Sequence, residues 1–169
     1  MGIDLYCGDK TFGCSHSVWR NVRKALIEST FEYLVEHFDV TDYKEHTNEY
    51  GAMIALKHYI KRIENVVVGK QFDLLDNFYV YSKHLEFVDL LIQFGVGGIY
   101  TLCNKSENEG FYSVGNSYDI CDLIKIVKPF LLKNKKNIDA EENWLYNGID
   151  NITNIFEESI KKNGIVIIC

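Results

Sequence analysis

The sequence of 169 residues predicts a mainly helical α+β domain. Long segments repeat apolar residues at helical spacing, with charged residues on the opposite side. The two ends of the chain, GIDLYC and IVIIC, have the pattern of short strands. Between them, two short apolar runs flank a polar loop over about 99–114, which predicts a hairpin. We therefore expect five or six helices and a small antiparallel sheet.

The composition predicts a single globular domain over residues 1–169. One proline and no Ser- or Gly-rich tract leave no obvious linker, and a chain of this length buries roughly 70% of its unfolded surface. The formal net charge of −6 argues against a nucleic-acid surface, which needs clustered lysine and arginine. Lysine outnumbers arginine 15 to 3, a skew that an AT-rich genome would produce.

The cysteines and the N-terminal segment predict a cytoplasmic protein with reduced thiols. Five cysteines form no CxxC pair, and the first ten residues lack a basic region followed by an apolar one. Apolar runs stay shorter than the ~18 residues of a membrane span. We therefore expect neither a disulfide framework nor a membrane partner.

The first part of the chain predicts one strand and two helices. Residues 2–7 alternate apolar and polar side chains, as a half-buried strand does, and a glycine-bounded loop follows over 8–17. A helix is expected from about 18 to 38, because apolar residues recur along one face. Asp42 and Glu45 have the spacing of a capping box that opens a second helix.

The middle of the chain predicts a central helix and then the hairpin. Residues 82–94 are apolar on nearly all sides, so we expect this helix to lie at the centre with the others packed around it. Three glycines then end it. Residues 99–103 and 111–114 are the expected strands of the hairpin.

The last third predicts three helices and a buried strand. Asn116 or Ser117 is expected to cap the first helix, with Asp119 in its first turn and Pro129 ending or kinking it.

A short helix is expected next, opened by Asp139 and Glu142 as a capping box and ended by the dipeptide 147–148. The final helix covers 149–160, and Asn163 and Gly164 are expected to stop it. The closing apolar run should then pair with the N-terminal strand.

A thiol, an imidazole and a guanidinium near the N-terminus are the candidate catalytic groups. Cys14 and Arg20 have the spacing of phosphatases whose thiolate attacks phosphorus while a guanidinium holds the oxygens, and His16 lies between them. The segment lacks the internal glycine of that loop, and the residues before Arg20 already fit a helix. The absence of a complete catalytic motif favours a protein without enzymatic activity.

Cys7, Cys14 and His16 are candidate zinc ligands, since sulfur and imidazole suit Zn²⁺. Structural zinc sites usually have tighter cysteine spacing than these residues show. The alternative is that Cys7 is a small buried side chain of the first strand.

The polar loop and the helix start that follows it form the other candidate site. Oxygen ligands of the kind that Ca²⁺ prefers are dense there, although their order departs from that of an EF-hand. Backbone amides at the helix start could instead bind an anion. The remaining alternative is an ordinary polar loop that binds no ligand. The candidate residues are Asn104, Glu107, Glu109, Ser113, Asn116, Ser117 and Asp119.

Three functions are compatible with these patterns. The first hypothesis is a non-enzymatic binding or assembly protein that recognises another protein or forms a homo-oligomer, because the 14% of aromatic residues can anchor interfaces. The alternative is a small enzyme or ligand-binding domain with a pocket between loops 8–17 and 104–117. The second alternative is a zinc-binding domain.

Overall fold

The computed structural model describes residues 2–37, 74–104, 110–135 and 143–169. Within these ranges the mainly helical α+β fold is confirmed, with six helices and one small antiparallel sheet. The elements are β1 Gly2–Cys7, β2 Lys10–Ser15, α1 His16–His37, α2 Leu74–Tyr81, α3 Leu85–Gln93, α4 Gly98–Cys103, β3 Gly110–Tyr112, α5 Val114–Lys135, α6 Asn143–Lys162 and β4 Val166–Ile168.

Four antiparallel strands form the sheet in the order β2-β1-β4-β3. The predicted N-terminal strand is confirmed, and its side chains alternate between buried and more accessible positions. The predicted C-terminal strand is also confirmed: Val166 and Ile168 are buried, and Leu5 of β1 pairs with Ile168. The first and last strands therefore lie side by side at the centre of the sheet.

The predicted loop 8–17 is wrong, because most of it forms β2. Cys7 pairs with Lys10, so Gly8 and Asp9 make a two-residue hairpin turn. Gly8 has φ +58°, which side chains avoid and which such tight turns demand.

The first strand of the predicted hairpin 99–114 is also wrong. Gly98–Cys103 is the helix α4, and its buried apolar residues are Ile99, Leu102 and Cys103, a helical spacing rather than an alternation. The second strand is confirmed as β3, but it pairs with β4 instead of with residues 99–103.

The central helix is α1, not the segment 82–94 as predicted. Helix α1 contacts four other helices and the strands β1 and β2. Helix α3 lies at the periphery, because Leu85 is 78% exposed and Ile92 is 62% exposed. The apolar stripe predicted for α1 is confirmed as buried, and it comprises Trp19, Val22, Leu26, Ile27, Phe31 and Leu34.

Helix α5 begins one turn earlier than predicted. The Asn116 amide N–H donates to Ser113 Oγ (3.2 Å), and the Ser113 N–H donates to Asn116 Oδ1 (3.1 Å). Ser113 is therefore the cap, with Asn116 as its reciprocal partner. Asp119 consequently lies in the second turn. Pro129 lies inside the helix without ending it.

Helix α6 is continuous where two helices were predicted. Gly148 is buried, and its nearest side-chain neighbours are Val22 and Phe12, so this glycine serves packing and does not end the helix. The predicted end of the last helix is confirmed at Asn163, which has φ 51°. The Gly164 N–H donates to the Ser159 carbonyl (2.9 Å), as in a Schellman motif.

Several predictions fall on other parts of the chain. The second helix opened by Asp42 and Glu45, the capping box at Asp139 and Glu142, and residues 105–109 of the polar loop lie outside the described residues. Among the described helices, none combines the length and the apolar character needed to cross a bilayer.

Helix α4 touches α5 through backbone atoms. An added Cβ at Gly98 would overlap the carbonyl oxygen of Asp119 and would lie 2.9 Å from the amide nitrogen of Ile120. Only a glycine permits this approach, because the obstructing atoms belong to helical backbone and cannot rotate away.

We predict that Gly98→Ala lowers the free energy of unfolding by about 2–3 kcal/mol, the range expected for overpacking. Urea unfolding followed by circular dichroism measures the loss. Gly115→Ala in α5 is the matched control: its Cβ would find its nearest neighbour at 3.7 Å, and alanine in a helix is up to about 1 kcal/mol better than glycine. Equal stability of the two variants would show that α4 does not depend on this contact.

Candidate functional site

The candidate zinc ligands do not come together. Cys14 pairs with Ile3, whereas Cys7 pairs with Lys10 at the other end of the same hairpin. Four residues of strand separate the two thiols, roughly 13 Å at the usual rise per residue. Within the described ranges, no group of three or more His, Cys, Asp or Glu side chains is placed to hold a metal ion. The structure therefore does not bring Cys7, Cys14 and His16 together as one set of ligands.

The environment of Cys14 works against a thiolate nucleophile. Partial burial raises the pKa of its thiol, and the negative charge of Asp4 on the neighbouring strand raises it further. Cys14 lies on β2, while His16 opens α1 and Arg20 follows one turn later on an exposed position. Catalytic cysteines need the opposite shift, a pKa lowered by nearby cations or by a helix N-terminus.

The pKa values of two fully buried thiols are also raised, which disfavours their thiolate forms. Burial raises the pKa of Cys103 to about 12 and, together with the charge of Glu157, that of Cys121 to about 11. All five cysteines are free.

The loops 8–17 and 104–117 do not share a pocket in the described part of the chain. The first contributes β2 at one edge of the sheet, and the second contributes β3 at the opposite edge. Two strands lie between them, so the edges are roughly 14 Å apart at the usual strand spacing.

Most candidate ligand residues of the second loop have structural partners. Ser113 and Asn116 cap α5, as described above. Ser117 is buried and shares a hydrogen bond with Ser159 (2.9 Å). The Asn104 side chain donates to the carbonyl of Tyr100 (3.1 Å) and so closes the end of α4. Glu107 and Glu109 lie outside the described residues.

Asp119 is the candidate that faces an open cavity. This cavity, which we call the α3–α5 groove, has a volume of about 490 Å³ and lies between α3, α4 and α5. Its walls differ in chemistry: α3 contributes apolar side chains, and α5 contributes two carboxylates. The lining residues are Val88, Ile92, Gly95, Gly97, Gly98, Tyr100, Thr101, Asp119 and Asp122.

The glycines build the floor of the groove. Gly95 ends α3 with φ +73°, and the Val96 N–H returns to the Leu91 carbonyl (2.8 Å) in a Schellman motif. The chain therefore reverses within three residues and starts α4 at Gly98. The backbone contact of Gly98 with α5 then fixes the width of the groove.

Phenol groups fix the other end of α4. The Tyr79 hydroxyl donates to the carbonyl of Cys103 (3.1 Å), and the Tyr112 hydroxyl donates to that of Leu102 (3.4 Å). The buried guanidinium of Arg23 in turn donates to the Tyr79 oxygen (2.9 Å). These bonds satisfy carbonyls that a helix end leaves without partners, and they tie α4 to α1, α2 and β3.

The acidic wall carries a carboxylate that is partly removed from water. Partial burial raises the pKa of Asp119, and the like charge of Asp122 raises it further. The stability that Asp119 contributes is therefore full below its unfolded pKa and is lost as the pH rises through its higher folded pKa. Asp122 also forms an exposed ion pair with Lys125 (3.4 Å).

Asp119 was a candidate from the sequence alone, whereas the apolar wall was not. Leu85, Val88 and Ile92 recur at i, i+3 and i+7 and so share one face of α3. The available signal for an exposed apolar wall was the helix itself. It is apolar on nearly all sides, but it is short and ends at a glycine turn. Which helix would face it across the groove depends on long-range packing.

A second set of exposed apolar side chains lies on the solvent side of the sheet. Ile167 of β4 is paired with Tyr6 on one side and Phe111 on the other. Their exposed fractions are 37% for Tyr6, 43% for Ile167 and 56% for Phe111. We call these three residues the outer sheet row.

Comparison with protein-family models, with curated proteins and with solved structures finds no match to this chain. Its function is therefore argued from the geometry of the groove and of the exposed apolar surfaces.

Proposed function

We propose that this protein is a non-enzymatic binding protein that holds a segment of a partner polypeptide in the α3–α5 groove. The supporting observation is that the helices that form the groove carry apolar side chains that the fold leaves uncovered. Ile92 of the groove is 62% exposed, and outside its lining Leu85 is 78% exposed on α3 and Tyr118 is 53% exposed on α5. Each large apolar side chain gains about 1.5–3 kcal/mol when it is fully removed from water.

The size of the surface favours a polypeptide over a small ligand. The groove itself, at about 490 Å³, lies within the usual range of ligand pockets. A small molecule would fill the space between Ile92 and Asp119 but would leave Leu85 and Tyr118 in water. A peptide segment that runs along the groove covers both, which is how exposed apolar patches are commonly used.

The chemistry of the described residues favours binding over catalysis. The thiols of Cys7, Cys14, Cys103 and Cys121 have raised pKa values, which disfavours the thiolate. In the groove, Asp122 is already paired with Lys125, and the apolar wall offers no nucleophile to Asp119.

We predict that Ile92→Ser weakens peptide binding about tenfold, because the substitution removes most of an apolar side chain from the wall. Peptides are first selected on the wild-type protein from a random display library, and their dissociation constants are then measured by fluorescence polarisation. Leu132→Ser is the matched control, since Leu132 is 47% exposed on α5 but does not line the groove. If the library yields no peptides, or only peptides that bind both variants equally, the groove is not the docking site.

Self-association is the second candidate function, and the outer sheet row supports it. Cross-strand neighbours lie about 4.5–5.5 Å apart, so Tyr6, Ile167 and Phe111 form one continuous apolar strip. The same strip on a second copy could pack against it around a two-fold axis.

We predict that light scattering over rising protein concentration gives a mass approaching twice the 19.6 kDa of one chain. Phe111→Ser should return the mass to that of the monomer, because Phe111 is the most exposed member of the row. Val80→Ser, a change at a residue 54% exposed on α2, should leave the dimer intact. A wild-type protein that stays monomeric at every concentration would exclude this interface.

A further inference from the structure

We infer that the segment held in the α3–α5 groove presents a lysine or arginine side chain next to an apolar one. This inference rests on the proposed function and specifies the chemistry of the partner. It follows from the apolar wall of Val88 and Ile92 facing the acidic wall of Asp119 and Asp122 across one cavity.

Each wall spans about one turn of its helix. Val88 and Ile92 are one turn apart on α3, and Asp119 and Asp122 are one turn apart on α5. A side chain that enters the groove therefore meets hydrocarbon on one side and carboxylate oxygen on the other. Lysine and arginine have this composition, since their aliphatic stems pack on apolar surface while the charged head remains with a polar partner.

The carboxylates are available to an incoming cation. Asp122 is paired with Lys125, but the two side chains of this ion pair are both largely exposed, at 68% for Lys125 and 61% for Asp122. Such surface pairs contribute about 0–1 kcal/mol to stability. A guanidinium or ammonium in the groove can therefore replace or join Lys125 at small cost.

Asp119 gains more from a cation than an ordinary surface carboxylate does. It is partly desolvated and lies close to the like charge of Asp122, and both effects disfavour its ionised form. A cation between the two carboxylates offsets their repulsion and supplies a charged partner in place of the lost water. The formal net charge of −6 adds a longer-range attraction for basic segments at low salt.

Aromatic side chains at the rim favour the same partner. Tyr100 lines the groove and is 36% exposed, and Tyr118 lies one turn before Asp122 on α5. A cation within about 6 Å of such a ring is attracted to its face. An acidic peptide would instead meet the two carboxylates of Asp119 and Asp122.

The test uses three display libraries of otherwise random peptides, with lysine, glutamine or glutamate fixed at the central position. We expect the lysine library to be enriched at least about tenfold over the glutamate library on the wild-type protein, a factor within reach of one charge reversal beside two carboxylates. This preference should fall as salt is raised, because exposed charges are screened.

The double variant Asp119→Asn, Asp122→Asn should lose the preference for lysine while it retains binding that depends on Ile92. It is expected to fold, because the raised pKa of Asp119 means that the neutral form costs the fold nothing at neutral pH. Asp150→Asn, a change at an exposed carboxylate on α6, is the matched control and should keep the preference.

The outcomes separate this inference from the proposed function. If no library gives binding that depends on Ile92, the proposed function fails. If binding depends on Ile92 but lysine and glutamate peptides are equivalent, or the double variant keeps the lysine preference, the inference of a basic partner fails alone. Competition by n-butylammonium chloride at the peptide's own concentration would also overturn it, since the groove would then be a site for free amines.

Discussion

The contact between Gly98 and the backbone of α5 is the constraint on which the surface of this protein depends. It brings the first turn of α4 so close to the carbonyl of Asp119 that a methyl group does not fit. Because α3 is joined to α4 through the tight reversal at Gly95, this contact also sets where α3 lies. The apolar face of α3 is consequently held across from the acidic face of α5, at a distance that leaves a groove.

The rest of the fold serves as the support for this arrangement. Helix α1 fills the centre, and its buried Arg23 is linked through Tyr79 to the end of α4. The hydroxyls of Ser117 and Ser159 join α5 to α6, and Ser159 also donates to the carbonyl of Gly164 (2.6 Å) before β4 begins. Helix α4 is thus fixed at both ends. Binding in the groove therefore does not require the free-energy cost of ordering this helix.

Local sequence patterns correctly predicted the strands and helices that bury only one of their faces. The alternation of residues 2–7 and the stripe of α1 identify a buried side without any knowledge of the partner, and both predictions were confirmed. The predictions failed where a short segment can satisfy two patterns. Ile99 to Cys103 has the composition of a strand, but its backbone is helical. Gly98 allows this helix to approach α5, and the phenols of Tyr79 and Tyr112 bond the carbonyls at its other end.

Long-range geometry accounts for the part of the site that the sequence did not disclose. Asp119 was recognised as a candidate because it lies near a helix start. The ligand considered there was an anion, and the two carboxylates of Asp119 and Asp122 make anion binding unfavourable. Ile92 was assigned to the core because it belongs to an apolar helix, yet 62% of its surface is exposed. The pairing of α3 with α5 across a glycine turn converts those two residues into opposite walls of one groove.

The most direct measurement of the central claim is a titration of the isotope-labelled protein with a selected lysine-containing peptide, followed by the chemical shifts of the backbone amides. Glycine amides are well separated in such spectra and mark both ends of the molecule. The account predicts that the largest changes fall on Gly97, Gly98 and Asp119, while Gly13 of β2 stays unchanged. Changes concentrated on β1 and β2, with the amides of α4 unaffected, would contradict it.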